Sequence, residues 1–139
     1  MTADRITIDG LDRLLANLDP ARQEEILTRL LTRATALVLA RTKEAGPRTA
    51  RPRPIRYAGG RVSRDMTSGR YTPVLTGNLR RSITSQVQRS EQRGIVGTNV
   101  VYGKYVHKHR PFLVWALEDS QDKIRGEIDK AGKAIVGGA

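Results

Sequence analysis

The sequence contains no cysteine, which excludes a disulfide framework and any thiolate nucleophile or thiolate metal ligand. Aromatic residues are scarce at 4%, and hydrophobic residues at 38% fall below the usual globular share. The core must therefore be built from Leu, Ile, Val and Ala, and it is expected to be thin. A thin core of this kind fits a chain that completes its burial against neighbouring subunits. Long apolar runs are missing as well. The longest, residues 34–40, is interrupted by Thr35 and is far short of the about 20 residues that span a bilayer. The opening stretch MTADRITIDG has no apolar h-region, so a cleaved secretory signal is not expected. The expectation is a soluble protein made in a cytoplasm.

Acidic residues are the remaining scarcity: 14 Asp and Glu stand against 25 Lys and Arg, for a formal charge of +11. That balance points to nucleic acid, acidic protein surfaces or anionic lipid as neighbours. The excess is concentrated. Between Arg41 and Arg81 lie eleven basic residues and only two acids, Glu44 and Asp65, so nine of the eleven net charges sit in that segment.

What is present reads as one domain, 1–139. Ile6-Thr7-Ile8 alternates as a short strand would, and Leu11, Leu14, Leu15 and Leu18 fall at helical spacing. Asp19-Pro20 is a helix start, because Asp caps orphan amides and Pro is tolerated at the first helical position. Ile26, Leu27, Leu30, Leu31, Ala34, Leu37 and Val38 then form an apolar stripe that predicts a helix to about Glu44, ended by Gly46-Pro47. Residues 46–75, with Pro47, Pro52, Pro54 and Pro73 and with Gly59, Gly60 and Gly69, show neither helical nor strand periodicity and predict a long basic loop. Thr76 is placed to cap a short helix from Gly77 to about Thr84, with Leu79 and Ile83 facing inward. A β-hairpin follows, carrying Val87 on one strand and Ile95-Val96 on the other. Tyr102 and Tyr105 lie in a turn or short helical piece. Pro111 opens a last helix with its stripe at Leu113, Ala116, Leu117, Ile124, Ile128, Ala131 and Ile135.

Chemistry-bearing patterns are sparse. Glu118, Asp119, Asp122, Glu127 and Asp129 alternate with Lys123, Arg125 and Lys130 on the last helix, the pattern of a solvated face with local ion pairs. Catalysis needs carboxylates that converge, so no catalytic residue is assigned and no enzyme is expected. His107 and His109 would share a face on a strand, but a metal site needs a third ligand; no metal and no cofactor is assigned. Gly59-Gly60-Arg61 with Ser63 lacks the lysine and following helix of a phosphate-binding loop. Arginine is suited to bidentate phosphate contact, and Tyr57 and Tyr71 lie among the arginines. Contact with nucleic acid would thus be to backbone, without sequence preference, and sensitive to salt. The candidate interface or DNA-facing residues are Arg48, Arg51, Arg53, Arg56, Arg61, Arg64, Arg70, Arg80 and Arg81.

The order of signals carries a resemblance. Pro73, Thr76, Gly77, Leu79, Ser82 and Ile83 match a P-x-x-T-G-x-L-x-x-S-[IL] segment. Gly97, Thr98, Tyr102 and Tyr105 match G-[TS]-x-x-x-Y-x-x-Y-x, and Arg110, Pro111, Phe112 and Leu113 match R-P-F-[LM]. This succession resembles the tail-completion, or head–tail joining, minor tail proteins of long-tailed phages. The likeness extends over about residues 26–135. One departure is visible: the family's acidic residue and Gly-Thr after the second tyrosine are missing, since Tyr105-Val106-His107-Lys108-His109 runs directly into Arg110-Pro111. No contact is carried over from that loop. The resemblance implies an α+β subunit whose long N-terminal helix and C-terminal helix pack on a small antiparallel sheet, with the basic loop 46–75 inserted. It implies a homo-oligomeric ring, a hexamer with a dodecamer as the alternative, between tail tube or terminator and head connector. DNA in the channel is a further neighbour; membrane is not. The expected location is the virion neck, and the host cytoplasm during assembly. The competing expectation is a non-specific nucleic-acid-binding protein of cellular origin.

Overall fold

The computed structural model describes residues 20–57 and 59–137. The expected strand at residues 6–8, the leucine stripe at 11–18 and the Asp19 cap lie outside the described residues. Helix α1 spans Pro20–Lys43 and is ended by the Gly46-Pro47 pair, as the stripe predicts. Two features of α1 were not legible: Thr35 and Thr42 are buried. Each hydroxyl donates to a carbonyl one turn back, Thr35 to Leu31 and Thr42 to Val38, so neither enters the core unsatisfied. The Thr42 carbonyl in turn accepts from the Thr72 hydroxyl, which ties the helix end to the end of the 46–75 segment.

The α+β class holds, and the last helix, α4, runs Phe112–Gly137 against α1. Helix α1 packs on a β3–β4 sheet, Ile83–Gln88 paired antiparallel with Arg93–Thr98, and α4 reaches that sheet at Val96. Ser85 opposes Val96 and Val87 opposes Gly94, the hairpin expected from the alternation. Between them sit two short helices, α2 (Asn78–Ser82) and α3 (Gly103–His109). Helix α2 begins one residue later than expected. Gly77 at its N-cap has φ +82, a left-handed conformation that favours glycine. Thr76 is therefore not the expected cap; it lies one residue before Gly77, and its hydroxyl accepts from the Asn78 amide at 3.4 Å.

The segment 46–75 departs from expectation. It is not a structureless loop: β1 (Arg48–Arg56) and β2 (Val62–Thr67) pair antiparallel as a separate two-stranded sheet. The prolines hid it, yet their placement explains why it tolerates them. The Tyr57 amide donates to the Arg61 carbonyl at 2.8 Å, so alternate amides, those of Ile55 and Arg53, turn toward β2. Pro54 then falls where an N–H would point to the open edge and costs no ladder bond. Pro52 sits in the register irregularity between Arg48 and Arg53. Gly59 and Gly60, both at positive φ, make the turn between the two strands, so the glycine pair serves the hairpin and not a phosphate cradle.

Nine apolar side chains are buried among the described residues, consistent with the thin core expected from composition. One group joins Leu79, Ile83, Val106, Phe112 and Leu113; a second joins Val38, Ala116 and Ile124. Val96 packs against both, so the β3–β4 sheet bridges them. No described helix is long and apolar enough to cross a membrane.

Candidate interface: a rooted arginine arm

The three matched motifs meet in one place. Leu79, Ile83 and Phe112 share the first core group. The Ser82 and Thr98 hydroxyls bond to each other at 2.6 Å, and Ile83 opposes Thr98 in the ladder. Pro73 is buried, and Tyr102 packs on the same group, edge-on to Tyr57 at 6.1 Å. Gly97, Tyr105 and Pro111 are half-buried around it. Pro111 accepts the Trp115 amide at 3.0 Å, setting the first turn of α4. These residues therefore build the framework and present no open chemistry.

Arg110 is the exception in kind. It is 4% exposed, and its guanidinium pairs with the carboxylate of Asp65, which is fully buried. The same guanidinium donates to the carbonyls of Thr67 (2.7 Å), Gly69 and Tyr71 (3.4 Å) and lies 5.4 Å from the Trp115 ring. The second Asp65 oxygen accepts the Thr67 amide at 2.8 Å, and the Thr67 hydroxyl accepts the Val74 amide at 2.8 Å. One planar side chain at the junction of α3 and α4 thus collects a carboxylate and three carbonyls from β2 and the chain leaving it. That geometry uses the fork of arginine. A buried ion pair this well hydrogen-bonded fixes register more than it adds stability. Asp65 is one of only two acids in the basic segment, and nothing in its spacing marked it as the partner of Arg110, 45 residues away.

A second fastening uses Arg70, expected at the outer interface, together with Arg41. Arg70 pairs with Glu118 and Asp119 and lies over Trp115; Arg41 bonds Asp119 at 2.7 Å and lies 4.4 Å over the Tyr71 ring. The acids of α4 are therefore not simply a self-paired helix face: Glu118 and Asp119 hold the end of the arm and α1. Glu127 pairs with Arg33 of α1 as well as with Lys130.

The remaining candidates separate cleanly. Arg48, Arg51, Arg53, Arg56, Arg61 and Arg64 are all exposed on the β1–β2 arm, and their side chains make no ion pair or hydrogen bond with the described residues. Arg81 is exposed and bonds Asn78 at 2.5 Å. Arg80 does not share that exposure: it follows Leu79 by about 100° on the helix, at the edge of the buried face, and its Nε and Nη2 are shut off from solvent without a partner.

His107 and His109 lie on α3, where residues two apart point in nearly opposite directions, so the shared strand face that a metal pair would need does not exist. Among the described residues no group of three His, Asp or Glu is assembled for a metal. His107 sits edge-on to Phe112 at 5.4 Å, and burial pulls its pKa below the usual imidazole value. It lines an open groove of about 460 Å³ together with Asn99, Val101, Lys104 and Leu113. Burial also pushes the Tyr57 phenol up. Comparison of the chain with protein-family models, curated protein sequences and solved structures returned no match.

Proposed function

We propose that the protein is a structural, non-enzymatic subunit that joins a phage tail tube to the head connector, acting as a ring of copies, most simply a hexamer, in the virion neck. The observation that carries this reading is the arm. Six exposed arginines that have no counter-charge among the described residues stand on a two-stranded arm that the Arg110–Asp65 pair pins to the body. Leaving six guanidinium groups unpaired is costly in self-repulsion, and an external anionic surface relieves it. A pinned arm lets such a contact transmit load to α1 and α4, as a joining element requires. The order of the three motifs supports the same assignment, since they supply the framework from which the arm projects.

The test is the mass of the purified chain by light scattering, at low and high salt, alone and with tail tube or connector added. A defined complex that survives high salt is the expected result. A chain that ignores both partners at every salt concentration would sink the joining role.

A second reading is favoured by the same exposed guanidinium groups: non-specific binding to the nucleic-acid backbone. It predicts an affinity for duplex DNA that falls steeply and log-linearly with salt, and no complex with tail components.

A further inference from the structure

The arm has two unlike faces. On β2, Ser63, Asp65 and Thr67 turn inward, while Val62, Arg64 and Met66 are exposed. Register places Pro54 opposite Arg64 and Arg56 opposite Val62 on that same outer face. Val62 is 55% exposed and Met66 37%, two of only three exposed large apolar side chains among the described residues. The outer face is therefore apolar at Val62 and Met66 and cationic at Arg56 and Arg64, without an acid.

From this face we infer the occupant: the acidic surface of a different protein, with apolar side chains set among its carboxylates. The inference rests on the reading of the arm as an assembly device and names what it docks on. Phosphate backbone would satisfy the arginines but offers nothing to Val62 and Met66, whereas Met and Arg together are enriched at protein–protein interfaces. A second copy of this chain is the wrong complement. Residues 48–67 hold six arginines and one aspartate, so the rest of the chain still carries +6 of the total +11. Its free acids on α4, Asp122 and Asp129, each stand beside a lysine, Lys123 and Lys130. Docking is by the face rather than by strand addition to β1, because Pro54 has no N–H to offer at the open edge.

The test uses the full chain and two soluble helical peptides of equal charge, one carrying Glu and Leu on one face and one carrying Glu and Ala, with a 20-base-pair DNA duplex as the third probe. Fluorescence anisotropy at physiological salt should show the Glu/Leu peptide bound about tenfold tighter than the Glu/Ala peptide, as burial of two partly exposed apolar side chains predicts. The double variant Val62→Thr, Met66→Thr keeps strand-compatible side chains and should abolish that preference while leaving the Glu/Ala affinity unchanged. The double variant Arg56→Gln, Arg64→Gln should weaken both peptides. Equal affinity for the two peptides, no binding of either, or a duplex bound more tightly than both and unaffected by the threonine variant would each overturn the inference. The joining role is read separately by the mass measurement. A defined complex with tube or connector, alongside failure of the peptides, would remove the partner proposed for this face and leave that role standing.

Discussion

At the scale of single residues, the decisive group is Arg110. It was legible as part of an R-P-F-[LM] match, but its partner was not, because Asp65 is joined to it by fold and not by spacing. Removing one member of a buried, hydrogen-bonded pair strands the other charge, which costs about 3–5 kcal/mol. Asp65→Ala should lower stability by that amount in urea unfolding. The double variant Asp65→Ala, Arg110→Met should lose less than the sum of the singles, since neither charge is left buried alone. Strict additivity would show that the two groups act independently, against the geometry. Arg110→Lys is not conservative here, since an ammonium cannot span Asp65 and three carbonyls in one plane. His107 gives a pH dependence of definite sign. Burial favours its neutral form in the fold, so the folded pKa lies below the unfolded value of about 6.5. Between those two values the unfolded chain binds more protons, and stability rises with pH. The contribution is complete above the unfolded pKa and declines as pH falls below it. The urea midpoint should drop between pH 7.5 and 5.5, and His107→Phe, which keeps an aromatic edge against Phe112, should flatten that drop. An unchanged slope in the variant would assign the dependence to other groups.

Among the elements, legibility followed periodicity. The long helices α1 and α4 announced themselves through apolar stripes at 3.6-residue spacing, and the β3–β4 hairpin through alternation around a polar turn. The β1–β2 arm did not, for a physical reason. Its inward positions are Ile55, Ser63, Asp65 and Thr67, so one apolar residue in four faces the body and the usual alternation of apolar and polar is absent. Prolines, which argue against a central strand, are tolerated on an edge. The candidate site was half legible: the arginine cluster was visible as charge, whereas the division into six free and several fastened side chains depends on contacts 29 to 78 residues apart. The arm is held to the body along one face, by Asp65 and Thr67 on β2 and by Ile55 and Tyr57 toward its turn, and this gives an element-scale prediction. In hydrogen exchange, Asp65→Ala should raise exchange across residues 48–67 while β3–β4 stays protected, because the arm opens as a local unit. Uniform loss of protection would mean that the arm and core unfold together.

For the whole molecule, the balance of charge sets behaviour that no single contact explains. A net +11 on 139 residues, with the largest share of the unpaired charge on one projection, raises the free energy of the compact state through self-repulsion. Salt screens exposed charges over about 10 Å at 0.1 M, whereas the buried Arg110–Asp65 pair is shielded from it. Adding salt should therefore stabilise the isolated chain, with a melting temperature that rises by several degrees from 20 to 300 mM NaCl, about 4 °C for each kcal/mol at this size. The sign is unusual for a fold that also uses exposed ion pairs such as Arg29–Glu25 and Arg93–Glu91, which salt weakens; pairs of that kind are each worth under about 1 kcal/mol. Replacing Arg51, Arg56 and Arg64 together by Gln removes three exposed charges that pair with none of the described residues. The triple variant should melt higher than the parent at low salt and respond less to added salt, the two curves converging near 300 mM. A triple variant that melts lower than the parent at low salt would mean that these arginines stabilise the fold, and the arm could no longer be regarded as charge held in reserve for an external surface.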